Sequence, residues 1–411
     1  MAAETTQALE RAAAASETRT LAAVSAAHLI SHFYIMVLPV MLPLLKDRLG
    51  VGFLDLGLAL TAFNVVTGLT QAPTGVLVDR VGARPVLICG LVLGGLAFLS
   101  LAFSASYGWL LVVAVAAGLA NCVYHPADYA MLADGISDHR IGRAFSVHTF
   151  AGFAGGAVAP PILLGLATWG GLETAFVFVG LVGLLTAALL LITPSPAPAE
   201  GHRARHSAAG GGDPSGGIVT PTVLGLTAFF TLLALANSAM NSFSVVALMA
   251  THALSFASAN MALTAYLAGS AAGVLLGGVL ADRIRRHGDA AALGFGVAAM
   301  IMLLVATVTL SLPALIAAMG LSGVIFGLIQ PCRDMLVRRA APPGAVGRVF
   351  AIVSTGFNIG GIIGPLLFGW VMDHGSPRWV LLGAVLFMGL TALYGLMEER
   401  RGTRPVVPAR S

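Results

Sequence analysis

Charge is what this sequence has least of. Only 10% of its 411 residues are Asp, Glu, Lys or Arg, whereas 57% are hydrophobic and the mean hydropathy is +0.91. An ordinary soluble domain carries roughly 25% charged residues. So few charges cannot solvate the surface of a water-soluble fold of this length, and the composition suits an outer surface that faces lipid. Cysteine is scarce too: Cys89, Cys122 and Cys332 each lie in an apolar run without a CxxC pair, so neither a disulfide framework nor a zinc site is indicated. They read as small apolar filler. Walker-type G-x-x-x-x-G-K-[ST] is missing, which excludes ATP as the energy source, and the histidines have no HExxH frame. No enzymatic activity, cofactor or metal is expected. Residues 1–20 lack the short apolar core and cleavage site of a secretory signal and read as a cytoplasmic tail.

Long apolar runs fill the rest. A membrane-crossing helix needs about 20 mostly apolar residues to span roughly 30 Å of hydrocarbon. Twelve such runs occur, at about 21–44, 54–78, 85–104, 108–133, 143–168, 173–193, 221–250, 258–281, 290–311, 313–337, 347–372 and 378–397. They are continuously apolar, whereas barrel strands alternate over about ten residues. The expected fold class is an all-α polytopic membrane protein. With the N-terminus inside, internal connections hold 19 of the 22 Lys and Arg, and only Lys46, Arg48 and Arg378 fall outside. This bias places both termini in the cytoplasm. The net charge of +4 is therefore a topology signal, and its scatter of single arginines argues against a nucleic-acid partner.

One connection, 194–220, is rich in Pro, Gly, Ala and Ser and reads as a flexible cytoplasmic linker between six-helix bundles at 21–193 and 221–397, with a second tail at 398–411. The two halves repeat each other. Gly75-Val-Leu-Val-Asp79-Arg80 matches Gly278-Val-Leu-Ala-Asp282-Arg283, and Gly142-Arg143-Ala-Phe145 matches Gly347-Arg348-Val-Phe350. Gly155-Gly156 with Pro160 matches Gly360-Gly361 with Pro365, while His125-Pro126-Ala-Asp128 stands in register with Gln330-Pro331-Cys-Arg333. Four matches in the same order imply two homologous halves around a central pathway, a common plan of transporters.

The stretch GVLVDRVGARPVL, with Gly75, Asp79, Arg80, Gly82 and Arg84, resembles the loop 2–3 signature G-x-L-x-D-R-x-G-R-[RK]-x of the major facilitator superfamily. GVLADRIRRHG is a weaker second copy. The resemblance covers residues 21–397 and implies two pseudo-symmetric six-helix bundles. The region CVYHPADYAMLADGISDHRIGRAFSVHTFAGFAGGAVAPP is similar to spans four and five of fosmidomycin-resistance-type exporters. Two features depart from drug/proton antiporters of the superfamily. The arginine many of them carry early in span four falls near Ala114, and span five lacks a clean G-P-x-x-G-G arrangement.

Polar residues inside apolar spans are costly and usually face a cavity or one another. His28 and His32 share one face of span one, and His125 and Asp128 one face of span four. Asn237 and Asn241 share a face of span seven, and span ten carries Gln330 and Arg333. The resemblance implies that spans 1, 4, 7 and 10 line the cavity, so these residues are the candidates for a substrate and proton site. Histidine titrates near neutral pH, so His32 or His125 is a candidate proton carrier, and Arg333 a candidate anchor for an anionic solute. The alternatives are an interhelical hydrogen bond for His28 or His148 and a mutual or local ion pair for Asp128 and Arg333. The loop charges are expected to gate, with Asp79 near Gly347 and Arg348 and Asp282 near Gly142 and Arg143. Prolines 39, 43, 126 and 331 are expected to bend their helices.

The expected function is secondary transport of a small polar or anionic solute by a monomer in the bacterial inner membrane, with protons as coupling partner and export as the direction. Uptake of a small carboxylate and a transporter-like receptor that moves nothing are the alternatives.

Overall fold

The computed structural model describes residues 2–104, 106–137, 139–193, 219–342 and 345–402. Most of the expected linker, 194–218, and most of the second tail, 403–411, lie outside the described residues. Among the described residues the secondary structure is helical throughout.

The helices are α1 (Ala2–Leu49), α2 (Phe53–Val81), α3 (Ala83–Ser100), α4 (Tyr107–Asn121), α5 (Tyr124–Gly135) and α6 (Ile141–Ile192). After residue 218 come α7 (Pro221–Asn237), a π-helical turn (Ser238–Phe243), α8 (Ser244–His252), α9 (Phe256–Arg283) and α10 (His287–Thr307). The last three are α11 (Leu312–Ala340), α12 (Val346–His374) and α13 (Arg378–Gly402). Among the described residues, eleven stretches are long and apolar enough to cross a membrane. The longest, α6, has 52 residues, more than twice what a single crossing requires. It changes direction at Gly171, whose φ of 80° and ψ of −179° lie outside the helical region. Only glycine adopts that conformation without strain, so α6 comprises two crossings and the expected twelve are present.

Two boundaries differ from expectation. The helix of span one starts at Ala2, because the first twenty residues are rich in alanine and other strong helix formers. Span four is two helices, α4 and α5, separated at Cys122 and Val123, just before Pro126. A proline has no N–H to give an i→i−4 bond and crowds the preceding turn. Prolines 39 and 43 in α1 and Pro331 in α11, by contrast, sit inside unbroken helices.

The chain divides into two compact units, Met1–Val51 with Ala59–Ser215 and Gly52–Leu58 with Gly216–Ser411. In the first, span five packs on span one: a Cβ at Gly155 would run into the Leu29 carbonyl. In the second, span eleven packs the same way on span seven, with Gly360 against Thr231 and Ala234. On span eight Gly273 and Gly277 lie against the Val324 and Leu328 carbonyls of α11. Without a hydrophobic drive between helices in lipid, such close backbone approach is what holds a bundle together. Gly52–Leu58 join the second unit because the Asp373 carboxylate accepts hydrogen bonds from the N–H groups of Phe53 (2.9 Å) and Leu54 (2.7 Å). This caps the N-terminus of α2 as an N-cap side chain does elsewhere.

Candidate functional site

Unit 1 gathers four histidines and one carboxylate from three spans. Asp128, on α5 and fully buried, places Oδ2 3.3 Å from His28 Nδ1 of α1 and 3.8 Å from His148 Nε2 of α6. The His28 and His148 rings stack with centroids 3.8 Å apart. His32 meets His28 edge-on at 4.7 Å, and the His125 ring lies 5.4 Å from His28. Tyr129 stands against both His125 (5.7 Å) and His148 (5.9 Å). His125 and Tyr129 are exposed, so the cluster has a buried end at Asp128 and an open end one turn away.

Glycine makes room for these rings. A Cβ at Gly152, one turn beyond His148 on α6, would lie 2.6 Å from His28 Nε2 and 3.0 Å from His32 Cδ2. Those distances are well inside van der Waals contact, and the imidazoles would have to move. We expect Gly152→Ala to keep its helicity yet lose about 1–3 kcal/mol of stability, the usual cost of overpacking. Thermal unfolding in detergent, followed by circular dichroism, measures it.

The cluster is poorly satisfied. His28 Nδ1, both Asp128 oxygens and both His148 ring nitrogens have no hydrogen-bond partner although each is buried. An unpaired polar group in an apolar interior costs several kcal/mol, and a charge more. Such a group persists where a function requires it.

Unit 2 carries a different arrangement. Arg333, its side chain 14% exposed, donates from Nε (2.9 Å) and Nη2 (2.7 Å) to Asp334 Oδ1. Its guanidinium lies over the rings of Phe230 (4.9 Å) and Phe357 (5.4 Å). In span seven Asn237 ends α7, and Asn241 lies in the π-helical turn. π turns inside helices often mark functional sites. Here Asn241 Oδ1 and the hydroxyls of Ser238 and Ser244 are buried without hydrogen-bond partners. Gln330 is buried on α11.

Helical proteins of many families contain buried polar groups, so the fold and the match to known sequences decide the family. A family model described as Major Facilitator Superfamily matches residues 24–230 and 224–411, one match for each half. The chain belongs to the Major Facilitator Superfamily. It is 27% identical over 390 residues to the fosmidomycin resistance protein of Escherichia coli, covering 90% of this chain and 91% of that one. It is 26% identical over 392 residues to the multi-drug resistance efflux pump PmrA of Streptococcus pneumoniae, covering 89% and 92%. Among solved structures, a bacterial homolog to the human lysosomal transporter Spinster in an inward-facing conformation superposes with a TM-score of 0.75 at 16% identity. That match covers 94% of this chain and 97% of the other, and it shows the fold.

In this member of the Major Facilitator Superfamily the loop signature lies at helix ends. Asp79 and Arg80 are exposed on the last turn of α2, Gly82 makes the turn into α3, and Arg84 donates to the Leu190 and Thr193 carbonyls. Those are C-terminal carbonyls of α6, which otherwise lack partners and attract a cation. Arg84 therefore ties loop 2–3 to span six. Unit 2 reaches the same end differently: Glu399 of α13 accepts from the Gly288 N–H at 2.8 Å and lies 3.9 Å from Arg286 and 3.8 Å from Arg339. Gly75, Gly278, Asp282, Arg283, Arg143 and Arg348 also lie at or near helix ends, and all four of these charged side chains are exposed.

Of the candidate residues, the structure places His28, His32, His125 and Asp128 together within unit 1. Within the units, Arg333 lies against Asp334, and Asp128 lies beside His28 and His148. His148, for which sequence offered an interhelical hydrogen bond, is instead a full member of the cluster without one. Its signal was the glycine at i+4, which leaves a hollow beside it.

Proposed function

We propose that the protein exports a small polar or anionic solute by alternating access, driven by the proton gradient. The observation that carries this reading is the buried, unsatisfied His–Asp cluster inside a bundle of apolar helices, a costly feature that packing alone does not require. Export is supported by the likeness to a fosmidomycin resistance protein and to a multi-drug resistance efflux pump, each along about nine-tenths of this chain. A preference for anions is supported by Arg333, whose guanidinium lies over two phenylalanine rings in unit 2. The proton is taken as the coupling ion because the sequence offers no nucleotide site. In this reading the loop charges Asp79, Arg80, Asp282 and Arg283 are gate residues. The molecule works as a monomer in a bacterial inner membrane with both termini cytoplasmic.

Uptake of a small carboxylate is the second reading. It has one specific support, a 143-residue stretch 25% identical to a probable L-galactonate transporter of Escherichia coli, which covers only 35% of this chain.

Proteoliposomes preloaded with fosmidomycin, or with a small dicarboxylate, test the proposal. Fosmidomycin efflux that accelerates when a pH gradient is imposed, and collapses when it is dissipated, is the expected result. Flux indifferent to the gradient removes the proton, and inward accumulation of the dicarboxylate alone supports the second reading.

A further inference from the structure

We propose that His28, Asp128 and His148 form a binding site for one divalent cation of the zinc class inside unit 1. The inference goes beyond the transport reading and does not depend on it.

The first ground is geometric. One ligating atom from each residue lies within 4.8 Å of the other two. Atoms bound to a single zinc ion at about 2.0–2.2 Å in tetrahedral array stand roughly 3.3–3.6 Å apart. The edge from His28 Nδ1 to Asp128 Oδ2 is already 3.3 Å, and that from His148 Nε2 to Asp128 Oδ2 is 3.8 Å. Small rotations of the imidazole rings close the rest. Rotation is sterically cheap on the side where Gly152 has no side chain.

The second ground is the absence of any other satisfaction. The side chains of His28, Asp128 and His148 are 5%, 0% and 1% exposed. His28 Nδ1, both Asp128 oxygens and both His148 ring nitrogens have no hydrogen-bond partner: the His28–Asp128 pair is 3.3 Å apart and the His148–Asp128 pair, at 3.8 Å, is too long for one. A metal ion bonded to all three would satisfy atoms that the protein itself leaves unpartnered, and one such atom comes from each of three spans. A proton on the cluster is the competing occupant, and the titration below distinguishes it from a metal ion.

Donor chemistry then selects the ion. Two imidazoles and one carboxylate suit Zn²⁺, Co²⁺ or Ni²⁺, whereas Mg²⁺ and Ca²⁺ prefer oxygen ligands throughout. The open end of the cluster, with His32 and exposed His125, offers an approach from outside and further imidazole nitrogens for a vacant coordination position. With neutral imidazoles, a bound divalent ion leaves a net positive charge in the core of unit 1. No lysine or arginine is buried there among the described residues, so the ion would supply the positive centre that an anion seeks.

The test uses purified full-length chain without a histidine tag, stripped with chelator and titrated with Co²⁺. We expect one equivalent to bind with the visible absorption of Co²⁺ in a nitrogen–oxygen site, and one equivalent of Zn²⁺ to bleach it. Asp128→Asn and His148→Gln should each weaken binding about 100-fold or more, while His287→Gln, a buried histidine of unit 2, should leave it unchanged. Circular dichroism confirms that each variant is folded. No stoichiometric binding to the wild-type chain overturns the proposal whatever the variants do. So does binding that survives the Asp128→Asn/His148→Gln double variant, or displacement by Mg²⁺ at the same concentration as Zn²⁺. Loss of the site would leave the export reading standing, because flux of fosmidomycin in proteoliposomes decides that separately.

Discussion

Asp128→Asn is expected to reduce solute flux about 100-fold or more while the chain remains folded and membrane-inserted. A carboxyl group beside two imidazoles can exchange a proton with them and an amide cannot, and each 1.36 kcal/mol added to a barrier is about tenfold in rate. Asparagine keeps the size of the side chain, so the helices around it need not repack. What is lost is the negative charge that faces His28 and His148 at 3.3 and 3.8 Å. His148→Gln should be nearly as damaging. Because the two side chains act through one cluster, the double variant should be little worse than either alone, the non-additivity expected of directly coupled groups. Flux per protein in proteoliposomes measures all three. Additive losses would show that Asp128 and His148 serve separate steps.

Arg333→Ala should act on affinity instead. The guanidinium is oriented by two aromatic faces and by Asp334, so it is a prepared positive group and its removal should raise the apparent KM for an anionic solute about 10–100-fold with little change in maximal rate. Arg333→Lys should recover only part of this, because an ammonium keeps the charge but lacks the planar fork and stacks poorly. Asp334→Asn gives the opposite sign. Freed from its local partner, Arg333 should bind the anion more tightly, lowering KM. A series in which Ala, Lys and the Asp334 variant all leave KM unchanged would show that Arg333 is structural.

How far the sequence reaches can be judged from these same residues. Span number and fold class were legible because the length of an apolar run is local information, and the repeat of Gly75–Arg80 by Gly278–Arg283 needed only alignment of one half with the other. The shared face of His125 and Asp128 followed from helical spacing, although the break at Cys122 and Val123 before Pro126 did not. The turn at Gly171 fell in the predicted gap between two spans, yet its left-handed φ shows only in the backbone. The meeting of His148 with Asp128 was the part that sequence could not give. It depends on how span five packs on span one, and that is set by which glycine faces which carbonyl. The π-helical turn at Ser238–Phe243 was equally invisible, since its residues have no composition that distinguishes them from α-helix. Arg84 was singled out as a gate charge, and its hydrogen bonds to Leu190 and Thr193 add a role that required the end of span six to be placed beside it.

The account stands on the claim that water and solute reach the histidine cluster of unit 1. Thiol accessibility tests it most directly, using His125→Cys in a chain whose Cys89, Cys122 and Cys332 are replaced by serine. In intact membranes the new thiol should react with a membrane-impermeant maleimide, and bound solute should slow that reaction. A thiol that reacts only with lipid-soluble reagents, and at a rate solute does not change, would place His125 against the bilayer and contradict the account.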